Sequence, residues 1–200
     1  MLKTISNNLS IPFQGIHPVV FFDNVFTPEQ CNQISEMYNK NLDEANIYSK
    51  LPEVTDHDYR QSDVNFFNKD ETNHWIFDIT NDYLEQVNAQ FFQFDLYGYD
   101  CFQYTEYNID GKYDYHTDLL YGSHVVNGFT RKLSGSLILN DPSEYEGGKL
   151  EFLTNRDPFS YDQPLGRFFV FPSFMMHRVT PVISGVRKSL VVWVCGPHWR

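Results

Sequence analysis

From residue 98 onward the sequence consists of short apolar segments separated by turn-forming dipeptides. The dipeptides Asp110-Gly111, Asp141-Pro142 and Ser184-Gly185 are typical of turns. The segments that predict β-strands are Tyr99–Tyr107, Lys112–Asp118, Lys132–Asn140, Gly148–Leu153, Leu165–Phe171, Arg178–Val182 and Arg187–Val194. Such a succession of short strands and turns predicts a β-sandwich or a barrel.

The preceding part of the chain contains two helix patterns. Thr27 is a good N-cap, Pro28 suits the first helical position, and Gln30 closes a capping box. A second, longer pattern has apolar residues three and four positions apart, which predicts a helix with one buried face. Its members are Trp75, Ile76, Ile79, Tyr83, Leu84, Val87 and Phe91.

The order of these patterns predicts the fold class. Strand patterns at residues 17–23 and 62–67 accompany the helices, and all later segments predict strands. Helices followed by strands favour an α+β fold in which the helices pack on one sheet. The sequence shows no repeat and no linker. We therefore expect a single domain over residues 1–200, with helical support in 1–97 and a β core in 98–196.

Composition excludes several classes of protein. Hydrophobic residues make up 42% and aromatic residues 17% of the chain, which argues against disorder. The net charge of −11 disfavours nucleic acid as a partner. The three cysteines form no disulfide framework, and no apolar run is long enough to span a membrane. With no signal-peptide pattern at the start, these features predict a cytoplasmic protein without a membrane partner.

The first candidate functional residues lie in the segment Tyr113–Asp118. His116 and Asp118 are two positions apart, so in a strand their side chains share one face. Together with one further histidine, they would form a two-histidine, one-carboxylate site of the kind that binds Fe(II). A solvated surface pair is the simpler alternative, because a His-x-Asp motif arises by chance in about half of such chains.

Further candidates follow an apolar run near the C-terminal end. His177 comes directly after Phe171–Met176, a position where a lone histidine is usually structural. Arg187 lies ten residues later, and in a strand it shares a face with Ser189. A guanidinium with a neighbouring hydroxyl is suited to bind a carboxylate. These residues therefore add a carboxylate anchor to the proposed metal site.

In these motifs the sequence resembles the Fe(II)- and 2-oxoglutarate-dependent dioxygenases, specifically their prolyl 4-hydroxylase-like branch. The resemblance covers about residues 98–196. It is carried by His116-x-Asp118, His177, Arg187, the Gly147-Gly148 strand start, Tyr107 and Tyr113 at nine and three residues before His116, and Trp193 at six residues after Arg187.

The resemblance implies a double-stranded β-helix, or jelly roll, with Fe(II) held by the catalytic residues His116, Asp118 and His177. It also implies a 2-oxoglutarate co-substrate that chelates the iron, O2 as the oxidant, and ascorbate as an additional cofactor. The far carboxylate of 2-oxoglutarate would bind to Arg187, Ser189 and Tyr107. The residues that the resemblance places on the substrate side are Tyr113, Arg131 and Trp193.

Some positions depart from the branch or stay uncertain in role. Ile138 stands where many prolyl hydroxylases carry a tyrosine near 2-oxoglutarate, and Arg187 stands where collagen-type enzymes use lysine. The stretch Leu119–Thr130 is expected to overhang the iron as a lid. His124 in this stretch is disfavoured as a fourth ligand, and His57 is expected to be a solvated loop residue.

The predicted function is hydroxylation of a prolyl residue in a peptide or protein partner. One alternative keeps this chemistry but acts on a free amino acid or another small molecule. A second is a non-catalytic jelly-roll module that binds metal or ligand without turnover. A zinc hydrolase with the same three ligands is disfavoured, because it needs a general base and has no role for Arg187.

Overall fold

A computed structural model describes residues 19–45, 57–120, 128–154 and 157–198 of the chain. Some predicted features lie outside these described residues. They are the start of the first strand at 17–18, the loop residues 46–56, and residues 121–127 of the expected lid, which include His124.

Two α-helices lie in the N-terminal half, as predicted. Helix α1 (Pro28–Tyr38) begins with the expected capping box, in which Thr27 and Gln30 exchange hydrogen bonds of 2.8 and 3.2 Å. Helix α2 (His74–Val87) continues into a π-helical turn at Asn88–Phe92. No helix in the described ranges is long and apolar enough to cross a membrane.

Apart from a 3-10 helix at Pro142–Glu144, the remaining described elements are β-strands, and all their pairings are antiparallel. The strands are β1 (Val20–Phe22), β2 (Asp43–Glu44), β3 (Arg60–Gln61), β4 (Asp63–Phe67), β5 (Gly98–Tyr107), β6 (Lys112–His116), β7 (Phe129–Ile138), β8 (Tyr145–Gly147), β9 (Leu150–Leu153), β10 (Pro158–Phe159), β11 (Phe168–Pro172), β12 (Met176–Val179), β13 (Val182–Gly185) and β14 (Arg187–Pro197). The larger sheet has the order β1-β11-β7-β14-β5-β4-β2, and the smaller has the order β10-β9-β12-β6-β3. Strands β8 and β13 form a separate pair.

Two apolar clusters hold these layers together. One cluster joins both helices to the outer face of the larger sheet, through residues such as Ile34, Ile76 and Val192. The other lies between the two sheets and includes Phe152 from the smaller sheet and Phe171 from the larger. Helices on one face of a two-sheet jelly roll are the architecture that the sequence predicted.

The differences from the predicted strands have local causes. The segment predicted as one strand at Arg178–Val182 is divided, because Pro181 has no N–H for the ladder and separates β12 from β13. Four described strands were not predicted, namely β2, β3, β8 and β10, and each has only two or three residues. A strand of that length is too short to show an alternating pattern.

Candidate metal and co-substrate site

Strand pairing brings the two candidate histidines together. His116 ends β6 and His177 lies in β12, and the two residues are direct partners across the antiparallel pair. Directly opposite residues project to the same face of a sheet. The centroids of the two imidazole rings are accordingly 4.2 Å apart.

Asp118 reaches the histidines from just beyond the strand. The sequence predicted a strand as far as Asp118, but β6 ends at His116. The backbone N–H of Asp118 instead donates to the carbonyl of Ser173, at 2.9 Å, in the turn before β12. This bond ties the carboxylate to the turn that also precedes His177.

The three side chains are spaced as ligands of one ion would be. The Asp118 carboxylate oxygens lie 3.8 Å from Nε2 of His116 and 3.6 Å from Nε2 of His177. These separations are too long for hydrogen bonds. Two donor atoms that each lie about 2.1 Å from a shared metal ion are at most about 4.2 Å apart.

Backbone carbonyls select the tautomer of both imidazoles. Nδ1 of His116 lies 2.7 Å from the carbonyl of Asp114, and Nδ1 of His177 lies 2.9 Å from that of Met175. A carbonyl only accepts, so Nδ1 carries the proton and Nε2 keeps its lone pair toward Asp118. Burial, followed by the neighbouring imidazole, lowers the pKa of His116 to about 3, which keeps it neutral.

Asp118 supplies a buried negative charge. Its side chain is only 7% exposed, and Oδ2 has no hydrogen-bond partner among the described residues. Burial raises the pKa of this carboxyl, but the two imidazoles and Arg131 oppose burial and bring the pKa below its usual value. A buried, unpaired carboxylate oxygen is costly without a cation. This oxygen and the two imidazole lone pairs therefore fit a divalent ion, and the donor set fits Fe(II).

Arg187 lies inside the same barrel, at the start of β14. It is 1% exposed, and Nη1 donates to Ser189 Oγ at 3.0 Å. Nε and Nη2 have no partner in the part of the chain that is described. The guanidinium carbon lies 5.4 Å from the ring of Tyr107, its partner across the strand pair. Two unpaired donors on a buried cation fit a carboxylate such as the distal group of 2-oxoglutarate.

A glycine makes room for this guanidinium. Gly148 has φ +57, and a Cβ added there would lie 2.9 Å from Cδ of Arg187. The Gly147-Gly148 strand start that the sequence predicted therefore leaves space for the Arg187 side chain. Ile138, which stands where many prolyl hydroxylases carry a tyrosine, is fully buried, and its side chain offers no hydrogen bond.

The predicted substrate-side residues occupy two places. Tyr113 stacks on the ring of His116, with 3.5 Å between centroids and 13° between planes. Arg131 packs over Trp193 at 3.7 Å and forms an ion pair with Asp100, so its charge is already compensated. The Trp193 indole is buried, and its Nε1 has no partner among the described residues.

Sequence reasoning missed one charged residue close to this site. Arg60, on β3, is buried, and its guanidinium carbon lies 4.5 Å from the ring centroid of Tyr113. It falls in a polar stretch without periodicity, where nothing in the sequence distinguishes it from a loop arginine. His57, by contrast, is exposed next to Glu44, as expected of a solvated loop residue.

The fold and this site are similar to those of the 2-oxoglutarate- and Fe(II)-dependent oxygenases. Residues 102–195 match the 2OG-Fe(II) oxygenase superfamily. The predicted resemblance is therefore confirmed for the β core. Fe(II) and 2-oxoglutarate, the expected cofactor and co-substrate, are the two that this family uses, and the residues present fit both.

Curated relatives match over slightly less than half of the chain. The PKHD-type hydroxylase YbiX of Escherichia coli O157:H7 is 35% identical over 92 residues, which are 46% of this chain and 40% of that protein. The protein from Escherichia coli K12 gives the same identity over 41% of its length. The match thus spans well under half of these relatives.

Solved structures match over most of the chain. A Pseudomonas putida prolyl-4-hydroxylase has a TM-score of 0.69 at 17% identity, over 89% of this chain and 92% of that one. The viral collagen prolyl hydroxylase of Paramecium bursaria Chlorella virus-1 has a TM-score of 0.67 at 18% identity, with 90% and 96% covered. A Trichoplax adhaerens prolyl hydroxylase gives 0.68 at 14% identity, with 88% and 83% covered. At these identities the likeness establishes the jelly-roll fold.

Proposed function

We propose that this protein is an Fe(II)- and 2-oxoglutarate-dependent hydroxylase that acts on a prolyl residue of a peptide or protein. The observation that carries the proposal is the buried Arg187, which leaves two donors unpaired in the same barrel as the three clustered ligands. A zinc hydrolase would have no use for that cation. A site for both a metal ion and a dicarboxylate also speaks against a non-catalytic module.

In this proposal His116, Asp118 and His177 hold the iron. When bound, the iron and 2-oxoglutarate supply the oxygen chemistry that hydroxylates a C–H bond and releases succinate and carbon dioxide. The protein provides neutral imidazoles oriented by backbone carbonyls and one buried carboxylate. This leaves coordination positions open for the co-substrate and O2.

The anchor for 2-oxoglutarate is assigned to Arg187, with Ser189 and Tyr107 beside it. The Ser189 hydroxyl accepts a hydrogen bond from Nη1 of Arg187, and Nε and Nη2 stay without a partner among the described residues. The apolar cluster between the sheets, which includes Ile138 and Phe171, keeps water away from this charge. A guanidinium in such surroundings binds a carboxylate more strongly than one in solvent.

A prolyl substrate is supported by the relatives and by the surface next to His177. The curated relatives are PKHD-type hydroxylases, and one structural neighbour is a prolyl hydroxylase in complex with a peptide fragment. Phe174, in the turn before His177, is 49% exposed. An exposed apolar side chain of this kind suits contact with a peptide. Tyr113, Arg131 and Trp193 stay proposed substrate contacts, and ascorbate and a cytoplasmic location stay predictions.

A small-molecule acid is the second candidate substrate. It is favoured by the buried charge of Arg60, which lies beside the Tyr113 ring and faces no carboxylate among the described residues.

The first test requires no knowledge of the substrate. Fe(II) and 2-oxoglutarate are added anaerobically to the purified protein, and the visible charge-transfer band of the chelated complex is recorded. We expect a band in the wild type and none in His177→Ala. A folded, iron-loaded wild type without a band would contradict the proposal and favour the binding module. Succinate release is then measured with proline-containing peptides and with free amino acids.

A further inference from the structure

A second buried guanidinium lies between the two sheets. Arg60 belongs to β3, the edge strand of the smaller sheet, where it pairs with Tyr113, and it is only 8% exposed. Its Nε donates to Ser62 Oγ at 3.1 Å, and Nη2 reaches Gln103 Oε1 of the larger sheet at 3.5 Å. The side chain thus crosses from one sheet toward the other.

All of these partners are neutral. The amide of Gln103 is itself held by Thr105, to which Nε2 donates at 2.6 Å, so that Oε1 is the atom that faces Arg60. The longer of the two Arg60 bonds is at the limit for a hydrogen bond. The third partner, the Tyr113 ring, attracts a cation but does not neutralise it.

The other arginines in the described ranges show how unusual this is. Arg131, Arg167 and Arg178 each form an ion pair with a carboxylate at 2.6 to 2.7 Å. Among the described residues, only Arg60 and Arg187 face no carboxylate, and these two are the buried ones. Burying a charge without a counter-ion is costly, so a site of this kind indicates an anionic ligand.

Arg60 is also close to the metal-ligating side chains. Its guanidinium carbon is 4.5 Å from the Tyr113 centroid, and that centroid is 3.5 Å from the centroid of His116. The sum of the two distances places the Arg60 guanidinium within about 8 Å of the His116 ring. Tyr107 lies near both guanidiniums, since Arg60 and Arg187 each oppose the rise in its pKa that burial causes.

We propose that Arg60 binds a carboxylate of the substrate, so that the enzyme hydroxylates an acid rather than a neutral peptide segment. The carboxylate has three possible sources: a free amino acid, the C-terminus of a peptide, or an aspartate or glutamate side chain next to the target residue. The inference rests on the proposed hydroxylase function. It assigns Arg187 to the co-substrate and Arg60 to the substrate, which gives each uncompensated arginine one carboxylate.

The test compares matched acids and amides on protein that already carries Fe(II) and saturating 2-oxoglutarate. The pairs are L-proline and L-prolinamide, a peptide ending in proline with a free or amidated C-terminus, and peptides with Asp or Asn, or Glu or Gln, beside an internal proline. Binding is read from the change in the visible band, and turnover is read from succinate. The pair in which the acid binds more tightly than its amide identifies the source of the carboxylate.

Two variants assign the effect to Arg60. In the wild type we expect at least one acid to bind about tenfold or more tightly than its amide. Arg60→Gln should remove this preference by raising the KM of the acid, with the KM of the amide and the binding of 2-oxoglutarate unchanged. Gln103→Glu should do the same by giving Arg60 an internal counter-ion, and it keeps the side chains near their present size.

The outcomes separate this inference from the proposed function. If the Fe(II)–2-oxoglutarate band is absent in the wild type, the hydroxylase proposal fails. If the band is present but no acid is preferred over its amide, including a panel in which nothing binds, the Arg60 assignment is overturned. An equal loss for acid and amide in folded Arg60→Gln and Gln103→Glu also overturns it, because this would mean that Arg60 only joins the sheets.

Discussion

Replacement of Arg187 by methionine tests whether this cation binds a ligand or stabilises the fold. The wild-type guanidinium leaves two donors unpaired in a buried site, which we assign to the distal carboxylate of 2-oxoglutarate. Loss of one partner of a buried, hydrogen-bonded charge pair costs about 2 to 4 kcal/mol. The dissociation constant for 2-oxoglutarate should therefore rise about 30-fold to 1000-fold.

The same change should do little harm to the free protein. Without co-substrate, Arg187 is a buried cation whose neighbours include the Ser189 hydroxyl, the Tyr107 ring and the Tyr145 phenol. Methionine of similar length removes that unpaired charge and keeps most of the packing. The free energy of unfolding of the variant, measured in urea without ligand, should fall by no more than about 1 kcal/mol.

The assay is an anaerobic titration of the Fe(II)-loaded protein with 2-oxoglutarate, followed by the visible band. Titration with 2-oxopentanoate, which lacks the distal carboxylate, closes a double-mutant cycle, and it should bind equally to wild type and Arg187→Met. Arg178→Met is the matched control, since Arg178 pairs with Glu151 at 2.7 Å and should not affect 2-oxoglutarate. Unchanged affinity for 2-oxoglutarate in Arg187→Met, or an equal loss for 2-oxopentanoate, would refute the assignment.

Four further changes test other parts of the structure. His177→Ala should abolish turnover and iron binding, while circular dichroism shows a folded protein; retained turnover would contradict its assignment as a ligand. Asp118→Ala should abolish turnover and iron binding, while circular dichroism shows a folded protein; retained iron binding would contradict its assignment as a ligand. Gly148→Ala should cost about 1 to 2 kcal/mol in unfolding free energy from its positive φ and should weaken 2-oxoglutarate binding by displacing Arg187; an unchanged titration would show that the guanidinium has room to move. Thr27→Ala should cost about 1 kcal/mol in urea denaturation through the lost cap, with no effect on succinate release.

Local patterns in the sequence predicted the elements better than their ends. The Thr27 cap and the long apolar face of α2 both have short-range causes, and the structure has both helices where they were expected. Pro181 interrupts the ladder, so β12 ends before it and β13 begins after it. Strands of two or three residues, such as Arg60–Gln61, exist because a longer neighbour offers a free edge, and this cannot be recognised from their own residues.

The candidate site was predictable to the extent that its residues form motifs. His116 and Asp118 are close in sequence. His177 and Arg187 were candidates from their local sequence, and the resemblance joined them to the same site, but their proximity depends on strand pairing. Arg60 belongs to no motif. Its importance comes from burial and from the absence of a carboxylate around it within the described residues, and neither property can be deduced from the order of residues.

The hydrogen bonds that orient the two imidazoles also bear on how the site tolerates change. In both cases Nδ1 donates to the carbonyl of the residue two positions earlier, Asp114 for His116 and Met175 for His177. Since these acceptors are main-chain atoms, no side-chain substitution at positions 114 or 175 can delete them. The side chains at positions 114 and 175 can thus change while the imidazoles keep their tautomer, which permits a new substrate specificity to evolve without rebuilding the proposed metal site.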